Sequence, residues 1–238
     1  LIFEGLVVSY NEDETLEQLK SWWARYGTPV LLSIAVVLLS FSGWRYWSTS
    51  TLEAASEAQA LQQQMATAMQ RLAVNTEDKA ANTDVQRLGQ QLINEYASTP
   101  YAVDAALLLA KRAVDAGDLV AAEKQLRVAL ELKPTPEIKV LTQTRLARVL
   151  AARQQYPAAL ALLDEIGDDP AAAPLVDEVR GDILMLQGQR DAAAKAYAAA
   201  DAALAARDEA RPVLDLKLAD VGLTPAKRAS DRSEGDAQ

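Results

Sequence analysis

Residues 26–44 form a run of 19 without a charged side chain, closed by Arg25 on one side and Arg45 on the other. At ~1.5 Å rise per residue a helix of that length spans roughly 28 Å, close to the hydrocarbon thickness of a bilayer. Its centre, Val30-Leu-Leu-Ser-Ile-Ala-Val-Val-Leu-Leu-Ser-Phe41, has no polar stripe of the kind a soluble core helix turns to water. Trp22, Trp23 and Tyr26 precede the run, and Trp44, Tyr46 and Trp47 follow it. Such aromatics sit where a span meets the two membrane interfaces. Pro29 suits the first turn of the helix, where its missing N–H costs nothing. A cleaved signal peptide fits worse, because the preceding stretch is long and acidic (Glu4, Glu12, Asp13, Glu14 and Glu17). Lys20 and Arg25 flank the run before it and Arg45 alone flanks it closely after, so the positive-inside rule places the N-terminus in the cytoplasm.

The remainder of the chain has a different character. Ala supplies 46 of the 238 residues, while Gly and Pro supply 10 and 9. Few turn formers and abundant Ala favour helix over sheet. Residues 48–74 read as one helix, 75–83 as a polar break and 84–96 as another helix. The formal net charge of −9 argues against nucleic-acid binding, which needs a basic surface. With no His and no Cys, a disulfide framework, a zinc or iron–sulfur site, a cysteine nucleophile and any His-based triad are excluded. No glycine-rich phosphate loop is present, and the adjacent carboxylates lack the pocket-forming aromatics a glycosidase pair needs. The reading is therefore no enzyme, no cofactor, no metal and no small-molecule substrate.

From residue 101 onward the chain repeats itself. Gly117, Gln154 and Gly188 are spaced by 37 and 34 residues. Five positions after each comes a small residue: Ala122, Ala159 and Ala193. Nine positions after comes a large one: Leu126, Leu163 and Tyr197. Ala110, Ala147 and Gly181 precede the three anchors on the preceding helices. This resembles the tetratricopeptide repeat, in which helix A, a tight turn and helix B recur about every 34 residues. Two positions depart from the pattern: Gln154 replaces a turn glycine, and Arg180 stands where a large apolar residue is expected.

Stacked A helices form the usual ligand face of such a solenoid. The register predicts Leu107, Lys111 and Val114 on this face in the first unit. Thr144, Arg148 and Ala151 follow in the second, and Glu178, Asp182 and Met185 in the third. Lys111 and Arg148 hold equivalent positions, a two-rung basic ladder suited to a partner's carboxylate or acidic segment.

Four strings carry a more specific likeness: Gly43-Trp44-Arg45-Tyr46-Trp47, Arg145-Leu-Ala-Arg-Val149, Leu162-Leu-Asp-Glu-Ile166 and Arg180-Gly-Asp-Ile-Leu-Met-Leu-Gln-Gly188. With the order acidic N-terminus, aromatic pair, span and repeats, the chain resembles the YfgM family of Gram-negative bacteria over residues 7–221. That resemblance implies an ancillary subunit of the SecYEG translocon in the inner membrane, with a periplasmic repeat domain. It further implies a partner in the membrane-anchored periplasmic chaperone PpiD and a role in passing exported proteins to periplasmic chaperones. A link to the Rcs envelope-stress response has also been proposed for the family. A membrane-tethered scaffold that sequesters a signalling protein is thus the alternative reading, and an adaptor for another envelope assembly machine is a second.

The expected architecture is all-α, one N-terminal transmembrane helix followed by an α-solenoid of tetratricopeptide-like helix pairs. The expected divisions are a cytoplasmic segment at 1–25, the span at 26–47, membrane-proximal helices at 48–100, the repeat domain at 101–221 and a disordered tail at 222–238. The lipid bilayer is itself a partner, at the interface residues Trp22, Trp23, Tyr26, Trp44, Tyr46 and Trp47.

Overall fold

The computed structural model describes residues 12–167 and 169–226. Among these the chain is all-α, in the order α1 (Glu12–Val74), α2 (Lys79–Glu95), α3 (Pro100–Asp115), α4 (Leu119–Glu131), α5 (Pro136–Ala152), α6 (Tyr156–Asp164), α7 (Ala173–Leu186), α8 (Arg190–Ala205) and α9 (Pro212–Asp220). It divides into two units, Leu1–Ala54 and Ala55–Gln238.

In the first unit, Leu19–Ser42 is a helical stretch long and apolar enough to cross a membrane. Leu31, Ile34, Val37, Leu38, Leu39 and Phe41 are all at least half exposed. Each such side chain gains roughly 1.5–3 kcal/mol on leaving water, so an uncovered row of them calls for lipid. Trp22 and Tyr26 rings lie 6.0 Å apart, and Phe41 and Trp44 rings 6.2 Å apart. The Trp23 ring lies over Gly27, where an added Cβ would come within 3.0 Å of it. Tyr46 and Trp47 belong to α1, but their side chains lie outside those described. Pro29 is not in a first turn as the sequence reading had it. The helix starts at Glu12, so Pro29 is interior and deprives the Arg25 carbonyl of its usual intrahelical donor.

The second unit is the solenoid, with α3/α4, α5/α6 and α7/α8 as the three pairs expected from the repeats. The anchors make the turns. Gly117, Gln154 and Gly188 have φ of 75°, 62° and 74°, all in the left-handed region. Each closes its helix in the same way. Its N–H donates to the carbonyl three residues back, and the next N–H donates five residues back, at 2.8–2.9 Å. Gln154 therefore occupies a glycine conformation with a side chain attached.

Between the paired helices, Ala110, Ala122, Ala147, Ala159 and Ala193 are buried, and so are the larger Leu126, Leu163 and Tyr197. The third unit exchanges Ala for Gly181 because its large residue is Tyr197. A Cβ on Gly181 would fall 2.3 Å from the Tyr197 ring. Arg180, the other departure, extends to Asp164 at the end of α6, 2.8 Å away.

Residues 48–100 do more than connect. Ala58, Met65, Ala68 and Leu72 of α1 share one buried core with Val85, Leu88 and Leu92 of α2 and with Ala105, Ala106 and Leu109 of α3. The Asp78 side chain caps α2 by accepting from Ala81 N–H at 2.9 Å, so the polar break is shorter than read from the sequence. At the other end, Leu214 and Leu218 of α9 pack on Tyr197, Ala200 and Leu204 of α8. Ala226 N–H donates to Asp201 at 2.6 Å. Residues 1–11 and 227–238, which include most of the expected tail, lie outside the described residues.

Two outcomes follow from this packing. Gln154→Gly should raise stability by about 1 kcal/mol, because an L side chain at positive φ is strained. Thermal melting checks this, and an unchanged or lower Tm would contradict it. Gly181→Ala should destabilise by roughly 1–3 kcal/mol through overpacking. In urea titrations of a double-mutant cycle, adding Tyr197→Leu should recover part of that loss, and strictly additive effects would show that the ring is not what limits the site.

Candidate partner-binding groove

α5 is flanked by α4, α6 and α7, so only a narrow strip of it stays open. That strip and the facing side of α3 line a groove of about 450 Å³. Its apolar surface comes from Leu107, Leu108, Ala110 and Val114 of α3, Leu126 of α4 and Val149 of α5. Three cations, Lys111, Arg145 and Arg148, complete the lining, and no carboxylate belongs to it. Long basic side chains can lay their methylenes on such a surface and keep the charge in water.

Four of the nine residues expected on the ligand face meet here: Leu107, Lys111, Val114 and Arg148. Thr144 and Ala151 are instead buried. Thr144 Oγ1 donates back to the Leu141 carbonyl at 2.9 Å, and Ala151 sits in the central core. Met185 packs partly buried against the C-terminal core. Glu178 is buried too, at 5% exposure, so neither it, Thr144 nor Ala151 belongs to an open surface. The neighbouring helices cover these positions, which helical register alone does not reveal. Arg145 was missed as a face residue, although it lies one turn before Arg148, a spacing that puts both on one side of a helix.

Glu178 and Asp182 have a different task. Glu178 accepts from Arg211 at 2.6 Å and from Lys217 at 2.7 Å. Lys217 also reaches Asp182 at 2.6 Å and stands 5.8 Å from the centre of the Tyr197 ring. Tyr197 donates its hydroxyl to Asp182 at 3.0 Å, and Arg148 approaches Asp182 at 3.6 Å. This network ties α9 to α7 and α8 and borders the groove through Arg148. Burial acts to raise the Glu178 carboxyl, but Lys217 and then Arg211 outweigh it and hold it below the usual range. Burial, followed by Asp182, pushes the Tyr197 phenol well up. Among the described residues, no cluster of three or more carboxylates is placed to hold a metal ion.

A carboxyl with a lowered folded pKa stabilises fully above its unfolded pKa and loses that contribution as pH falls through the folded value. Glu178→Gln should therefore cost about 3 kcal/mol at neutral pH, the scale for breaking a buried pair. Its gap to the parent should shrink below about pH 4.3, the ordinary glutamate value. Urea titrations of both proteins across that range check this, and a gap independent of pH would rule out the ion network as its source.

Comparison with known proteins agrees with this geometry. Residues 20–223 match the family described as tetratricopeptide repeat-like domain. The chain is 28% identical over 193 residues to an ancillary SecYEG translocon subunit of Haemophilus influenzae, covering 81% of this chain and 89% of that protein. It is 29% identical over 189 residues to the Escherichia coli protein of the same name, covering 79% and 86%. The Neisseria gonorrhoeae protein of that name is 26% identical over 208 residues, covering 87% and 96%. No solved structure matches the chain. The matched residues take in both the apolar helix and the helix pairs, and the chain belongs to the tetratricopeptide repeat-like domain family.

Proposed function

We propose that this protein is a single-pass inner-membrane ancillary subunit of the Sec translocon. In this reading its N-terminus is cytoplasmic and its repeat domain periplasmic. The repeat domain binds partner proteins, PpiD among them, and assists the hand-over of exported proteins to periplasmic chaperones. It acts by binding and is not an enzyme. The observation that carries the reading is the match to ancillary SecYEG translocon subunits over about four-fifths of the chain. Three features support it. An apolar helix of one membrane thickness cannot form a channel by itself, so a translocon role for it is ancillary. Lys20 and Arg25 before that helix, against Arg45 after it, favour the stated orientation. The solenoid offers a groove lined by side chains that suit peptide contact rather than chemistry.

Brief crosslinking in cells, followed by affinity purification from detergent-solubilised membranes and mass spectrometry, tests the proposal. SecYEG and a periplasmic chaperone should be recovered, and SecYEG should be lost when Leu19–Ser42 is replaced by an unrelated span. Recovery of a signalling protein or another assembly machine, with SecYEG at background, would overturn the translocon reading and favour the tethered scaffold.

A further inference from the structure

We infer that the groove over Leu126 takes a peptide segment of a partner in which an apolar side chain stands next to a carboxylate, with Arg145 as the residue that reads the acid. The inference rests on the partner-binding reading of the repeat domain and narrows it to one site and one chemistry.

Charge carries the first part of the argument. The whole chain has a net charge of −9, yet this groove is lined by three cations and no acid. A local positive field on an acidic protein attracts a short anionic group, while the net negative charge around it opposes the approach of a second copy of the same chain. Nucleic acid is disfavoured, since its phosphates would meet the surrounding negative charge.

The state of each cation carries the second part. The Arg145 side chain is exposed and has no hydrogen bond or ion pair among the described residues. Lys111 pairs with Asp115 at 2.6 Å, but both side chains are more than half exposed, and such pairs hold weakly. Arg148 approaches Asp182 at 3.6 Å, while Asp182 already has Lys217 at 2.6 Å and the Tyr197 hydroxyl at 3.0 Å. Arg148 can therefore turn to a ligand without leaving a half-buried carboxylate unpaired. A free guanidinium offers a planar fork that a carboxylate can accept from in two bonds.

Shape carries the third part. About 450 Å³ between α3 and α5 has room for a few apolar side chains, and is too small for the paired acyl chains of a phospholipid. Asp182, the acidic rung of the next unit, closes the cationic strip, so the binding segment is short and confined to the first two of the three repeat units.

The test is selection from a phage-displayed library of random dodecapeptides on the full chain in detergent. Enriched clones should carry Leu, Ile, Val or Phe next to Asp or Glu. A fluorescein-labelled synthetic peptide of the leading clone should lose affinity roughly tenfold or more on Arg145→Glu, the loss of about one charge-assisted hydrogen bond. Changing its Asp or Glu to the amide should do the same, and the Tm of the variant should stay put because Arg145 is exposed. Val114→Asp, also at an exposed position, should weaken binding from the apolar side. The inference is overturned by clones without an acid, by no enrichment over blank resin, by equal binding to Arg145→Glu, or by displacement of the peptide by phosphatidylglycerol vesicles. Recovery of SecYEG in the crosslinking experiment is independent of these outcomes. A failed groove with SecYEG recovered removes only this inference, and a selective groove without SecYEG removes only the translocon assignment.

Discussion

Paired helices in this solenoid meet through residues with little or no side chain. Ala110, Ala122, Ala147, Ala159 and Ala193 are all buried. Close approach lets Leu126 and Leu163 fill the remaining space, and it demands a tight reversal between helices. The left-handed residues Gly117, Gln154 and Gly188 supply that reversal through the same pair of backbone hydrogen bonds. In the third unit the interior is filled differently, with a larger ring and a smaller partner: Tyr197 occupies the room that an Ala side chain would take, and Gly181 yields it. Packing volume across the pair is thereby kept while both residue types change.

The same narrow approach decides what remains for binding. Helices close to their neighbours on two sides leave a strip of surface, and on α5 that strip carries Arg145 and Arg148. Acidic side chains at the next rung are committed elsewhere. Glu178 is buried beneath Arg211 and Lys217, and Asp182 serves Lys217 and Tyr197. These interactions fasten α9 as the last layer of the stack, so charge near the C-terminal end is spent on cohesion, and charge over α3 and α5 stays open. An ion network of this kind stabilises through completeness, since removal of one partner leaves the others buried and unsatisfied.

Much of the fold was legible in the amino-acid order. The span was readable from length and the absence of charge, because lipid tolerates little else. The helix pairs were readable from small residues at constant offsets from a turn, and the turn at Gln154 was located although its residue type gave no hint of positive φ. That α1 runs unbroken through Pro29 was not readable. A proline is favoured in a first turn and costly in a helix interior, so Pro29 taken alone points to a helix start. Nor was the shared core of α1, α2 and α3 visible, because Met65, Leu72, Val85 and Leu92 lie outside the repeating offsets.

The candidate face was only partly legible for a related reason. Helical spacing says which side chains point together, and Leu107, Lys111, Val114 and Arg148, grouped by that criterion, all line the groove. It does not say how far a neighbouring helix extends over that side, and coverage by adjacent helices is what buried Thr144, Ala151 and Glu178. The sequence by itself determined the membrane-spanning segment, the helical class and the repeat period, since these follow from local hydropathy and from residue size at fixed intervals. Only the tertiary structure decided which charges are exposed and which are locked together. Glu178, Lys217 and Arg211 are separated along the chain, and their pairings, like the exposure of Arg145, exist only once the helices are stacked.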